Sequence, residues 1–171
     1  ARLQVGFAQV VAAPVMLPGR PHSVRTMVED VCAERGLKYE ASIVTNGYLL
    51  DAKAARSLWD RKVKMAQVTL DGAPDDHDQR RYLLSGKGTF ERIARNLRDV
   101  VDNSELQISI RVNIDERNGD EIKELLDHLA GLGLGNRKTL RMYFAPVEAI
   151  TEGCHNVEDV CFTKSKYGEL E

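Results

Sequence analysis

The chain has 171 residues, 43% hydrophobic and 29% charged, with a formal net charge of −2. That length suits one globular domain with a real core. The near-neutral charge and the 6% aromatic content argue against a nucleic-acid binder, an anionic-membrane binder or a base-stacking platform.

No run of about eighteen apolar residues is present to span a membrane, and no basic-then-apolar signal opens the chain. The cysteines are Cys32, Cys154 and Cys161. So small and odd a set fits a reducing cytoplasm better than a disulfide scaffold. The start at Ala1 without methionine fits a processed or excised piece.

Leu3 to Met16 is apolar and partly β-branched, and predicts a strand (Leu3 to Val10) and a loop. After the break at Leu17–Pro21, Ser23 caps a predicted helix with Val24, Met27, Val28 and Val31 on one face, ended by Gly36. Tyr39 to Thr45 predicts a strand closed by Asn46-Gly47. Asp51 caps a helix packing through Ala54, Leu58 and Trp59. Met65 to Leu70 predicts a strand running into Asp71-Gly72. Thr89 opens a helix with Phe90, Ile93, Ala94, Leu97 and Val101 at helical spacing. Leu106 to Ile114 alternates as a strand and is broken by Asn118-Gly119. Asp120 to Leu132 predicts a helix with Ile122, Leu125, Leu126 and Leu129 on one face, and Leu140 to Val147 a last strand. Residues 151–171 form a polar tail or the start of an extension beyond a domain at 1–150.

Five strands alternating with four helices imply an α/β fold with parallel strands and right-handed crossovers. Periodicity alone leaves an open doubly wound sheet or a barrel. Turn and polar residues follow the strands at Thr45-Asn46-Gly47, Asp71-Gly72, Asn113 with Asp115, and Ala145-Pro146. In both architectures these strand ends share one edge, where ligands bind. Gly47, Gly72 and Gly119 read equally well as turn residues. Asp71 and Arg111 read as functional.

Several short motifs fail. Ser85-Gly86-Lys87-Gly88-Thr89 lacks the glycine and hydroxyl placement of a P-loop, and Gly131, Gly133 and Gly135 lack the dinucleotide spacing. Asn113 to Glu121 has calcium-type oxygens at the wrong spacing. His77-Asp78 lacks the further ligands of a metal phosphohydrolase. Cys154 and Cys161 match no common zinc site. Cys32 reads as core.

The ordered pieces from Thr45 to Val147 carry more. Ile43-Val44-Thr45-Asn46-Gly47-Tyr48 is followed by Gln67-Val68-Thr69-Leu70-Asp71-Gly72 and His77-Asp78-Gln79-Arg80-Arg81. Gly86-Lys87-Gly88-Thr89-Phe90 with Asn96-Leu97, Ile110-Arg111-Val112-Asn113-Ile114-Asp115, and Tyr143-Phe144-Ala145-Pro146-Val147 complete the series. In order and spacing, the set resembles the radical S-adenosylmethionine (SAM) family, in particular peptide-modifying members with a cysteine-rich SPASM extension.

The resemblance implies a partial (β/α) barrel, incomplete at its N-terminus, covering roughly the second to sixth strands. It implies SAM and a 4Fe-4S cluster as cofactors of the full-length enzyme, reductive SAM cleavage to a 5′-deoxyadenosyl radical, and a peptide substrate. It places Arg81 on the SAM carboxylate, which a guanidinium grips well. It gives Thr69 a hydroxyl contact, makes Asp71 the residue that orients the loop, faces Arg111 and Asn113 into the pocket, lays the adenosine along Val147, and puts Asn46 at the third-strand turn. Against these stand a solvated Arg80–Arg81 pair, Thr69 as a plain strand residue, and Arg111 as an ion-pair partner of Asp71 or Asp115.

The family's Cys-x3-Cys-x2-Cys motif is absent, and Gly6 to Pro14 does not match its Gly-Gly-Glu-Pro segment. Cys154 and Cys161 fall where an auxiliary-cluster extension would begin, at unusual spacing. The expectation is that this chain alone is inert, with no cluster of its own. Two alternatives stay open: a non-catalytic α/β module binding a nucleotide or peptide, and a different α/β barrel enzyme. Open edges at Leu3–Val10 and Leu140–Val147 predict a homo-oligomer or an edge covered by the N-terminal segment.

Overall fold

The computed structural model describes residues 23–115 and 117–147; the expected strand at Leu3–Val10 and the two tail cysteines lie outside them. The chain divides into two compact units, residues 1–39 and 40–171.

In the first unit, helix α1 spans Ser23–Glu34. Its packed stripe is Val28, Val31 and Cys32, and Cys32 is buried as expected. Met27 departs from the predicted face and is 59% exposed. It sits one position before Val28, and so about 100° away around the helix.

The second unit alternates strand and helix: β1 (Ala41–Thr45), α2 (Ala52–Asp60), β2 (Val63–Leu70), α3 (Pro74–Arg80), α4 (Phe90–Asn103), β3 (Gln107–Ile114), a 3-10 turn at Gly119–Glu121, α5 (Ile122–Gly131) and β4 (Leu140–Pro146). The four strands form one parallel sheet in the order β1-β2-β3-β4. Each crossover contains a helix, as parallel neighbours require. This is an open sheet of partial (β/α)-barrel type.

The alternation of side chains decides what each face does. On one face Ala66, Val68 and Leu70 of β2 and Ile108, Ile110, Val112 and Ile114 of β3 are buried. Ala55 of α2, Ile93, Ala94, Leu97 and Val100 of α4, and Leu125 and Leu129 of α5 join them in one core. The other face carries Val44, Gln67, Thr69, Ser109, Arg111, Asn113, Arg141 and Tyr143, none of them buried. Val44 is 73% exposed there. Within this unit α2, α4 and α5 thus pack on one face of the sheet, and the described residues of the other face are mostly polar.

Local chemistry explains most boundaries. Asp51 caps α2 by accepting from the Ala54 N–H at 2.7 Å. Leu126 departs from the expected face of α5 and is exposed, because the core stripe runs through Ile122, Leu125 and Leu129, and Leu126 lies about 100° around the helix from Leu125. Helix α3 was not expected. Its sequence, Pro-Asp-Asp-His-Asp-Gln-Arg, has no apolar residue and hence no helical period. Its start is nonetheless written in the chain: proline in the first turn, followed by two acids at the positive end of the helix.

Gly47 turns the chain out of β1 at φ +77, and a Cβ there would lie 2.8 Å from Val68 Cγ1 and 3.1 Å from Ile93 Cγ2. Gly47→Ala adds left-handed strain to an overlap in the core. It is expected to lower the unfolding free energy by about 2–4 kcal/mol, read as a fall in the denaturant midpoint.

Candidate functional site

Parallel strands deliver all their carboxyl ends to one edge, and the polar residues gather there. Asp71 follows β2 directly and is buried. A buried carboxylate must be paired and hydrogen-bonded. Its Oδ2 accepts from Arg81 Nε in a short ion pair, and its Oδ1 accepts from Asn113 Nδ2 at 2.8 Å. Arg81 keeps 39% of its side chain exposed, and among the described residues its guanidinium makes no other hydrogen bond. The structure therefore brings together three of the expected site residues, Asp71, Arg81 and Asn113, from three separate segments.

The neighbouring arginine takes a different acid. Arg80 grips Asp115, just past β3, in a bidentate pair with both contacts at 2.9 Å. Arg80 and Arg81 are thus not a solvated pair. Successive residues at the end of α3 lean on the ends of two adjacent strands. Nor does Arg111 pair with Asp71 or Asp115. It donates from Nε to Asn113 Oδ1 at 2.9 Å, two residues along the same face of β3.

Helix α3 is fastened from below by His77 and Asp78, to which the motif series gives no role of their own. His77 is fully buried. Its Nδ1 accepts from the Asp71 N–H at 3.2 Å, which leaves Nε2 as the donor to Thr89 Oγ1 at 3.1 Å. Thr89 in turn donates to the Arg81 carbonyl at 2.7 Å. Asp78 Oδ1 accepts from the Thr89 and Phe90 N–H groups at 2.7 and 2.8 Å, capping α4 from another helix. Thr89 opens α4 as expected, but its hydroxyl does not cap it. Gly88 leaves room for this cap, since a Cβ there would overlap the Asp78 carboxylate. The glycines of the Ser85–Thr89 segment thus belong to a helix cap and a turn.

The remaining expected residues lie along the same edge or face. Thr69 is half-buried on the open face of β2, paired in register with Arg111, which is paired with Tyr143. Asn46, in the turn after β1, is exposed and accepts from the Tyr48 N–H at 3.1 Å. That turn is tied to α4 by Asn96, whose Nδ2 donates to the Gly47 and Tyr48 carbonyls at 3.0 and 2.9 Å. Val147 directly follows β4, and its N–H donates to the Ile114 carbonyl at 2.8 Å. Asn46 and Val147 share no hydrogen bond with Asp71.

Comparison with solved structures gives the architecture a parallel. The structure described as "Native anSMEcpe with bound AdoMet" superposes with a TM-score of 0.55 at 18% identity, over 70% of this chain and 31% of that one. A second, "Native anSMEcpe with bound AdoMet and Cp18Cys peptide", gives a TM-score of 0.55 at 17% identity, over 72% and 34%. The chain spans about a third of the length of these structures. No protein-family model matches the chain, and no curated protein matches it. At this identity the likeness establishes the shared fold. Among the described residues no helix is long and apolar enough to cross a membrane, and no group of three or more His, Cys, Asp or Glu side chains could hold a metal ion.

Burial pushes the His77 imidazole below the ordinary histidine value of 6.5, against the pull of Asp71 and Asp78. The unfolded chain therefore takes up this proton at a higher pH than the folded one. His77 contributes its full stabilisation above pH 6.5, and that contribution is lost as the pH falls from there toward the folded value. Urea unfolding at about pH 7.5 and about pH 5.5 is expected to show a drop in stability on acidification, and a smaller drop in His77→Gln.

Proposed function

We propose that this chain is the later part of a radical SAM barrel, and that the carboxyl-terminal edge of its sheet holds SAM against a peptide substrate. The observation that carries the reading is the Asp71–Arg81–Asn113 constellation. Three residues from three of the motif pieces meet in one hydrogen-bonded group at the ends of β2 and β3. The fold is shared with anSMEcpe structures that hold AdoMet, and in two cases a peptide as well.

The residues present fit SAM. Arg81 is held through Nε by Asp71, and among the described residues its two terminal nitrogens have no hydrogen-bond partner, which leaves them to grip a carboxylate in parallel. Asp71 acts as the orienting residue, since a fixed guanidinium loses less entropy on binding. Thr69 offers a hydroxyl on the open face, with Arg111 beside it in register. Asn113 presents its amide between Asp71 and Arg111. The adenosine would run past the end of β4 near Val147, and Asn46 would border the pocket from the β1 turn. The peptide would lie on the open, polar face.

The family's 4Fe-4S cluster, when bound, supplies the electron that cleaves SAM. The described residues do not fit such a cluster. In this reading its ligands come from a preceding part of the barrel, and Cys154 and Cys161 begin a SPASM-type extension. This chain alone then binds SAM weakly and turns over nothing.

The test is an NMR titration of the chain with S-adenosylhomocysteine. Shifts are expected at Thr69, Asp71, Arg81, Arg111 and Asn113. Arg81→Ala should weaken binding by about tenfold to a hundredfold, the worth of a charge-assisted pair. Shifts that survive in Arg81→Ala, or that cluster on the helix-covered side, would sink this assignment.

A further inference from the structure

Asn118 sits in the turn after β3 and is 1% exposed. No feature of the sequence marks it beyond a turn dipeptide with Gly119. In the fold all its amide groups are used. Nδ2 donates to the Asp71 carbonyl and to the Asn113 carbonyl, each at 2.9 Å, and Oδ1 accepts from the Asp115 N–H at 2.9 Å. These are the exits of two neighbouring strands. Inside the sheet, β2 and β3 are held by their own ladder, whose last paired residues are Leu70 and Val112. Beyond that point the ladder stops, and the carbonyls of Asp71 and Asn113 would have no backbone partner. One side chain replaces the missing rung.

The same two residues carry the carboxylate and the amide that meet at 2.8 Å on the site side. The spacing of their backbones therefore fixes the spacing of their side chains. We propose that Asn118 is a positioning residue: it clamps the ends of β2 and β3 so that Asn113 and Asp71 meet, and Asp71 can aim Arg81. Asp115 fixes Asn118 in turn, through the N–H that Oδ1 accepts, and is itself anchored by Arg80. The role of Arg81 as ligand grip rests on the reading above; the clamp on the Asp71–Arg81 pair does not.

The experiment separates the two. In the ligand-free chain, the Arg81 Nε–H should be protected from solvent exchange and give a resolved NMR signal. Asn118→Ala should abolish that protection while the amide signals of α4 and the middle of β3 stay in place. An Arg81 Nε–H as protected in Asn118→Ala as in the wild type overturns the inference, whatever SAM does. If Asn118→Ala does not fold, wild-type exchange decides. The side-chain amide protons of Asn118 and the Arg81 Nε–H should then exchange through one opening of equal free energy, and clearly different openings overturn the clamp. For ligand binding, Asn118→Ala should weaken S-adenosylhomocysteine by about tenfold, in the range seen when a supporting residue is removed from a site. In an Arg81→Ala background it should have no further effect. Loss of Nε–H protection with no ligand binding in any variant would uphold the clamp and defeat the SAM reading alone.

Discussion

Asp71 uses every polar group it has. Its N–H goes to His77, its carbonyl to Asn118, one carboxylate oxygen to Asn113 and the other to Arg81. A buried acid is costly unless it is satisfied in this way. Each partner comes from a different place: helix α3, the turn after β3, the end of β3, and the residue just past α3. Satisfying one carboxylate thus ties together the exits of two strands and a crossover helix. The edge of the sheet is most densely cross-linked where the candidate site lies, because its most demanding group is there.

The tandem arginines extend this logic. A lone helix of seven polar residues has little reason to stay folded. Here α3 is held by the two arginines at its end, Arg80 toward β3 and Arg81 toward β2, and by His77 beneath. His77 also meets Phe90 edge-on, with ring centroids 5.5 Å apart, so the polar fastening continues into the apolar core. Electrostatics at the rim and packing below are one structure.

Much of the fold was legible in the chain. The alternation of β3, the heptad-like stripe of α4 and the Asp51 cap each reflect a local rule obeyed without competition. The parallel order followed from the strand–helix alternation. The failures are equally physical. Helix α3 has no apolar period, because it is held by ion pairs and not by a buried stripe. Met27 and Leu126 are apolar but sit beside a stripe, which periodicity resolves only to within a residue. At the site, Asp71, Arg81 and Asn113 were legible as motif residues. The roles of Asn118, Asp78 and Arg80 were not, because the contacts that define them, to the Asp71 carbonyl, the Thr89 N–H and the Asp115 carboxylate, span 47, 11 and 35 residues. No local pattern encodes a contact at that distance.

The cap that Asp78 places on α4 leaves the segment between them in an unusual condition. The chain from Tyr82 to Gly88 is closed at its base by a bridge between those two residues, with further turns from Leu83 to Lys87 and from Gly86 back to Leu83. Its tip, Leu84, is fully exposed. Everything the fold needs from this stretch is fixed at its two ends. The tip is accordingly free to drift in sequence and length, because lengthening a closed loop costs only about 0.6 kcal/mol per doubling. It is the natural point at which to graft a foreign epitope or reporter onto this fold without disturbing the pair of strand ends behind it.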